Sequence, residues 1–574
     1  MHQSTHSIFI AAPTERVFAV VSDPAQLPRW AVHFCSSVRA DGDALWATTP
    51  RGQVRFAMRT DRALGVVDFG HLGADGAWRY SPTRVMPAEG GAVFLYTFFR
   101  RPGISDERFE AMKREMEEEL ALLKQLAEGP AVGPARGEPM NSLAQEALTS
   151  PAWRERLEAA RRRDAEHPLA ALRGRFHLPP GPDGAEAAYF CGNGLGLLST
   201  DAQAALAGAL DQWRDLGFRA HFEAAPRWLD VDELLATRLA PIVGAAPEEV
   251  AVMGSVTANL HLLMRSFYRP TPERHALLLE PDAFPSDRYA VASQARLAGL
   301  DPAESVREIP VPAGRPYATT EDVIAYLSTR GHEIALVLLG GVNHFSGQAY
   351  DLERITRAAH AAGCLVGADL AHAIGNVALR LHDWDVDFAV WCHYKYLNAD
   401  PGGVAGLFVH ERHGRDPRLP RLAGWWGQRR ETRLAMPDDF EPEVGAWGFR
   451  QSGPPIASLA TLAGALGVFE EVGMERLIEK REALIAELLA HVDGLPRERV
   501  EVITPRGDRG GQISLRVRGK GSAEISRGLR EHGVFVGTRG QDVVRIAVAP
   551  LYNSFEDVCR LSHALEKVMA ADDG

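Results

Sequence analysis

Five cysteines in 574 residues (Cys35, Cys191, Cys364, Cys392 and Cys559) stand far apart and form no CxxC pair. That scatter excludes a disulfide framework and predicts a reduced, cytoplasmic compartment and no metal site. Long apolar runs are missing as well: none approaches the roughly 18 residues that a membrane helix needs. The short apolar stretch at residues 8–12 lacks a basic leader and soon meets Pro13, Glu15 and Arg16, so no signal peptide is expected. Nor is there an excess of basic charge. Lys and Arg number 63 against 75 Asp and Glu, a formal charge of −12, which argues against nucleic-acid and membrane partners. No internal repeat occurs. What remains is globular composition, 46% hydrophobic and 24% charged, in a chain long enough for two or three domains.

The first hundred residues alternate like a sheet. Strands are predicted at residues 7–10, 34–39, 44–49, 53–60, 64–69, 78–87 and 92–100, with Gly or Asp-Gly turns between most of them. Pro13 opens a helix running through Val21. Beyond residue 103, Phe109, Met112, Met116, Leu120, Leu123 and Leu126 recur at three- and four-residue steps, predicting one long amphipathic helix. The opening, IFIAAPTERVFAVVSDPAQLPRW, resembles the START-like helix-grip family of polyketide cyclases and lipid-transfer modules over residues 1–128. The resemblance implies an α+β domain with a cavity for a hydrophobic or aromatic ligand. His33, Arg55 and His71 either face that ligand or stand as solvated rim residues, and no acid/base pair is assignable. Residues 129–140 contain too many glycines and prolines for a helix and are predicted to be a linker.

From Tyr189 onward short apolar runs alternate with helical stretches. Strands are expected at 249–253, 275–279, 334–339, 364–368 and 388–392, and helices at 258–267, 287–297, 351–362 and 370–376. This rhythm predicts a mostly parallel sheet covered on both faces, with ligands bound at the strand C-termini. The residues at those ends carry chemistry. Lys395 follows an apolar strand, and a neutral lysine forms Schiff bases. Asp369 ends another strand, where a carboxylate can pair with a protonated pyridine nitrogen. Thr257 begins a helix whose free N–H groups favour a phosphate, and Phe284 offers a flat ring for stacking. Each alone has an ordinary structural explanation. Together, in this order, they describe a site for pyridoxal 5′-phosphate.

The stretches YFCGNGLGLLS, FPSDRYA, DLAHA, HDW, YKYLN, GWWG, GFRQSGPPI and RIAVAPLYNS resemble the kynureninase family over about residues 140–574. That resemblance implies fold-type I: a large, mostly parallel sheet domain (141–450, with an N-terminal helical arm) and a small C-terminal α+β domain (451–574). It implies that Lys395 bonds the cofactor, Asp369 meets the pyridine nitrogen and Phe284 stacks on the ring, with Ser286, Asp287 and His372 nearby. Val256, Thr257, Tyr394 and Trp425 would surround the phosphate. Arg545 would grip the substrate carboxylate, and His221, Asn193, Ser452 and Gly453 would line the substrate pocket. Trp425 in particular would reach across a homodimer interface.

The implied reaction is hydrolysis of the Cβ–Cγ bond of L-kynurenine, or a ring-substituted kynurenine, to an anthranilate and L-alanine. Lys395 would move the α-proton, and Tyr394, acidified by charged neighbours, would donate or relay another. Two positions depart from the family pattern: Gly453 stands for the usual Asn that helps read the aryl group, and Gly340 for a frequent Ser taken as a phosphate contact. Two other readings stay open: a related lyase acting on another β-substituted amino acid, and a hydrophobic-ligand carrier with a vestigial cofactor domain.

Overall fold

The computed structural model describes residues 3–41, 44–49, 52–72, 78–88, 90–100, 104–128, 150–182 and 184–570. The chain divides into two units, Met1–Pro139 and Met140–Gly574. The predicted linker at 129–140 falls outside the described residues.

In the first unit, eight strands form one antiparallel sheet: β1 (Gln3–Ile10), β2 (Ser37–Asp41), β3 (Ala44–Thr49), β4 (Gly52–Asp61), β5 (Val66–Leu72), β6 (Trp78–Ser81), β7 (Thr83–Ala88) and β8 (Gly91–Phe99). Their order is β1-β8-β7-β5-β4-β3-β2, with β6 beside β5. The single strand expected at 78–87 is broken at Pro82, which has no N–H to give to a ladder. The helix Asp106–Glu128 lays Leu120 and Leu123 against Trp30, Phe56 and Phe94 of the sheet side. This is the helix-grip arrangement. His33 is exposed and its Nε2 lies 2.9 Å from Glu118 Oε2, and Arg55 is exposed on β4, so both stand on the solvated rim. The side chain of His71 lies outside the described residues.

The buried carboxylate of Glu119 clasps the long helix to the turn between the short helix Leu27–Trp30 and β2 by accepting hydrogen bonds from the amides of His33 (2.7 Å) and Phe34 (3.0 Å). Burial nevertheless pushes this carboxyl up to about 7 from 4.5. Between those values the folded state binds more protons than the unfolded one, so stability falls as pH rises through the window and stays lower above it. A shift of this size corresponds to about 3 kcal/mol. Glu119→Gln is therefore expected to stabilise the unit by about 2–3 kcal/mol at pH 8 and to do nothing at pH 4. Urea melts at the two pH values check this, and an equal gain at both would contradict it.

The second unit contains β9 (Ala188–Phe190), β10 (Val250–Val252), β11 (Ala276–Leu279), β12 (Val306–Glu308), β13 (Ile334–Gly340), β14 (Leu365–Asp369), β15 (Phe388–Cys392) and β16 (Ala405–Val409). It continues with β17 (Val500–Val502), β18 (Gln512–Val517), β19 (Val534–Arg539) and β20 (Val543–Ala547). The large sheet runs β10-β16-β15-β14-β13-β11-β12. It is parallel from β15 to β12, while β16 runs against both its neighbours. Strands β11, β13, β15 and β16 are buried along their whole length, as continuous apolar runs require. Residues 370–376 form turns rather than the expected helix. Gly375, at φ 71°, takes the left-handed conformation that a continuing helix cannot use.

The small sheet is β17-β18-β20-β19-β9, with β9 parallel to β19. Its core also takes in Trp153, Leu157 and Ala160 of the helix Pro151–Glu166. The small domain thus draws on residues well ahead of 451. β9 also joins this sheet, and a strand of three residues carries no readable period in the sequence. Among the described residues no single helix is long and apolar enough to cross a membrane. The bent pair Ile456–Val472 and Met474–Asp493 passes on composition, yet Leu459, Leu462, Leu466, Leu484 and Leu488 are buried in protein.

Candidate active site

Four parallel strands finish at one edge of the large sheet, and their register sets the site. Gly340 pairs with Asp369, and Asp369 with Val390. The residues just past these ends (Glu280, Val342, Ala371, Tyr394 and Lys395) therefore emerge together and line one cleft of about 290 Å³. The turn bearing Lys395 is buttressed from far away in sequence. Gly196 donates its amide to Tyr394 O (2.8 Å), and Asn398 Oδ1 accepts from Leu197 N (3.0 Å). A Cβ on Gly196 would stand 2.3 Å from Lys395 O, so only glycine permits this approach.

Two helix starts face the same cleft. Ser255 caps the helix Val256–Phe267 by accepting from Ala258 N. Thr257 Oγ1 lies 2.7 Å from Ser286 Oγ in the first turn of the helix Pro285–Leu297. Phe284 precedes that turn; its ring has Lys395 Nζ 5.9 Å from the centroid and the His344 ring edge-on at 5.2 Å. From the small domain come Arg545 on β20 and Arg539 at the end of β19. Arg545 Nη1 donates to His344 O (2.9 Å), whereas its buried Nε has no hydrogen-bond partner.

Three carboxyl groups line the cleft together with Lys395. Burial leaves Asp369 raised on balance, although the Lys395 ammonium, the Ala371 amide (2.8 Å) and Asp287 offset part of it and keep it below Asp287. Asp287 is pushed well above its ordinary value, by burial first and then by Asp369 and Glu280. The proton therefore belongs to Asp287 and the charge to Asp369. Glu280, fully buried, is pushed up to about 8. Its Oε2 has no partner, and a Cβ on Gly340 would lie 2.7 Å from its Oε1. A serine at 340 would thus press its Cβ on the end of the Glu280 side chain, which would have to shift.

Burial lowers His344 to about 4 and holds His372 well below its ordinary value, so both imidazoles are neutral. Tyr394 overturns an expectation. Burial, with Cys392 and Asp369, pushes its hydroxyl up to about 12, so it is not acidified and keeps its proton.

The cleft brings together Asn193, Val256, Thr257, Phe284, Ser286, Asp287 among the expected residues. It also holds Asp369, His372, Tyr394, Lys395 and Arg545. It does not include His221, Trp425, Ser452 or Gly453. Trp425 is half-exposed and borders a separate hollow with Met436 and Phe440, its Nε1 donating to Arg433 O (3.0 Å). Residues not anticipated are Glu280, His344, Arg539 and Cys392. An acid directly after an apolar strand was a signal that could have found Glu280. The other three are placed by tertiary packing.

These residues fit pyridoxal 5′-phosphate. An anionic Asp369 suits a pyridinium nitrogen, hydroxyls at two helix starts suit a phosphate, and the unpartnered His372 Nδ1 and Arg545 Nε are polar atoms awaiting a ligand.

Comparison with known proteins agrees with this geometry. A model of the class-V aminotransferases matches residues 233–570, and one described as polyketide cyclase/dehydrase and lipid transport matches residues 1–128. The chain is 48% identical over 409 residues to a kynureninase of Myxococcus xanthus, covering 71% of this chain and 96% of the relative. It is 46% identical over 399 residues to one of Koribacter versatilis, covering 69% and 94%. Among solved structures, a cysteine desulfurase of Escherichia coli is similar at a TM-score of 0.58 and 17% identity, covering 71% of this chain and 99% of that one. Another, from Thermococcus onnurineus, gives 0.56 and 18%, with 68% and 96% covered. At such identities the structures speak for the fold alone.

Proposed function

The chain belongs to the kynureninase family, and from that premise we propose that it hydrolyses the Cβ–Cγ bond of L-kynurenine or a ring-substituted kynurenine, giving an anthranilate and L-alanine. The observation that carries this reading is the convergence of Lys395, Asp369 and Arg545 on one cleft. Lys395 and Asp369 would hold pyridoxal 5′-phosphate, which would supply the electron sink that makes an amino acid's α-proton removable.

The chain's own residues do the rest. Arg545 offers its unpartnered Nε edge to the substrate carboxylate, fixing the Cα bonds in one orientation. Lys395 Nζ, the sole amine lining the cleft, takes and returns the α-proton. Tyr394, neutral because its hydroxyl is pushed up to about 12, stands beside it as a proton donor. Thr257 and Ser286 hold the phosphate with the helix-start amides.

Desulfurase chemistry is disfavoured although the fold is shared. It needs a thiolate, and burial raises all five cysteines, Cys191 and Cys35 to about 11 and Cys559 to about 12. Incubating the purified protein with kynurenine and with 3-hydroxykynurenine tests the reading. An anthranilate appearing with equimolar alanine supports it; no product from either substrate overturns it in favour of another lyase.

We further place two copies in the working enzyme. Leu210, Trp213, Phe218 and Phe222 stand exposed at or just after the helix Thr200–Leu216, and His221, Trp425, Ser452 and Gly453 lie outside their own chain's cleft. A second copy accounts for both. Gly453 would then read the aryl ring. A Cβ there meets only Trp426, at 4.0 Å, so Gly453→Asn has room. It is expected to change the ratio of kcat/KM for hydroxylated over unhydroxylated kynurenine by about 10–100-fold, with unchanged melting. An unaltered ratio would remove Gly453 from the pocket. In the N-terminal unit, the buried Trp30 Nε1 has no partner and marks an interior donor for an aromatic or hydrophobic ligand.

A further inference from the structure

The residues missing from the cleft are not scattered. His221, Trp425, and the pair Ser452 and Gly453 sit on three segments that meet at one buried knot of charge. At its centre Arg450, 2% exposed, donates from Nη1 to Asp232 Oδ2 (2.9 Å) and Glu233 Oε1 (3.0 Å). Asp232 Oδ2 also accepts from Trp426 Nε1 (2.8 Å), so one carboxylate ties the neighbour of Trp425 to a residue two ahead of Ser452.

Backbone contacts pull the same segments together. Gln451 Nε2 donates to Leu422 O (2.7 Å), and a Cβ on Gly424 would stand 2.3 Å from Gln451 O. Arg433 lies 4.5 Å over the Trp426 ring while its carbonyl holds Trp425 Nε1. Asp232 and Glu233 open the helix Val231–Val243, and the chain just before it folds back: Trp228 N donates to Ala220 O (3.3 Å), and its ring lies 5.6 Å from that of His221.

The knot is a poor choice if cohesion were its sole purpose. Arg450 Nη2 and Asp232 Oδ1 are buried without partners, and well-packed apolar side chains replace such ion pairs at no loss of stability. What charge adds is direction: Arg450 holds both carboxylates from Nη1 while its Nε donates to Trp447 O (3.1 Å), and these bonds from one planar group fix the loops attached. We propose that Arg450 and Asp232 are positioning residues that set Trp425, Ser452, Gly453 and His221 as one rigid arm closing the cleft of a second copy. This rests on the two-copy reading above.

Mixed dimers of the full-length chain test it. Arg450→Lys keeps a charge, but its single nitrogen cannot hold the two acids and, as Arg450 Nε does, the Trp447 carbonyl (3.1 Å) at once. As a homodimer it is expected to raise the KM for kynurenine about 10–100-fold with kcat less affected, and to weaken cofactor binding to the apo-protein about tenfold in a fluorescence titration. Pairing an Arg450→Lys subunit with a Lys395→Ala subunit gives one intact cleft faced by an intact arm. That cleft should show the wild-type KM, and half the sites the wild-type cofactor affinity. A raised KM persisting in the mixed dimer means that Arg450 acts on its own cleft and overturns the proposal, as does a wild-type KM in the Arg450→Lys homodimer. Trp426→Phe removes a single hydrogen bond to Asp232; if Arg450→Lys fails to fold, it is read in the same format, with an expected three- to tenfold rise. Sedimentation of the unaltered chain as a monomer would instead remove the two-copy reading itself.

Discussion

Replacing Lys395 by alanine is expected to cut turnover by about 10⁴-fold while the protein stays folded. The side chain lies in the cleft, and its backbone carbonyl keeps the bond from Asn398 N (3.1 Å) whatever the side chain is. Its absence also leaves Asp369 and Asp287 without the cation that offsets them, so burial pushes Asp369 higher still. Lys395→Arg separates charge from proton transfer. A guanidinium keeps the positive charge but stays protonated at any accessible pH and forms no bond to the cofactor. It should be as inactive as alanine. Both variants are assayed by anthranilate release beside a thermal melt. Activity in Lys395→Arg within tenfold of the unaltered chain would show that the amine is needed only as a charge, and the proposed chemistry would fail.

Arg545→Lys should have the next largest effect, a fall in kcat/KM of about 30–1000-fold, carried mainly by KM. One guanidinium nitrogen is already committed to His344 O, so the edge containing Nε is what remains for a carboxylate. Burial first, then Arg539, holds the group down to about 10, yet it is still a cation at neutral pH. A lysine supplies a point charge without the planar fork. Nor can its single nitrogen bind His344 O and a carboxylate in the same geometry. Steady-state kinetics with kynurenine, compared with its analogue lacking the α-carboxylate, checks the assignment. The substitution should lower kcat/KM for kynurenine and leave that for the analogue nearly unchanged; a loss of the same size for both would mean that Arg545 holds something else.

Much of the site is legible in the sequence because its residues lie at the ends of apolar strands. Asp369 and Lys395 each close or follow a run whose period admits one assignment, and a parallel sheet brings such ends to one edge. The helix start at Thr257 is legible for the same reason. Charge states are not. Tyr394 was expected to be acidified by the charges nearby, but the hydroxyl's burial and the Cys392 thiol govern it. Such a balance depends on depth, which no one-dimensional pattern records.

Partnerships across the chain are equally hidden. His344 and Arg539 reach the cleft from a loop and from the small domain, and β9 joins a sheet whose other strands follow more than 300 residues later. The N-terminal unit shows the opposite balance. Its strands alternate cleanly and short turns order most of them, yet the pairing of β1 with β8 and the clasp of Glu119 on the amides of His33 and Phe34 join segments more than 80 residues apart, which no local pattern records. Gly340 belongs to both classes: visible as a departure in sequence, while the Glu280 side chain beside it is seen only in the structure.

The central claim is that Lys395 bonds the cofactor. Borohydride reduction of the full-length protein loaded with pyridoxal 5′-phosphate, followed by proteolysis and peptide mass mapping, reads this directly. The cofactor's absorbance band is expected to be lost on reduction, with the reduced pyridoxyl group on the peptide containing Tyr394, Lys395 and Tyr396. A label on any other lysine, or none on that peptide, would contradict it.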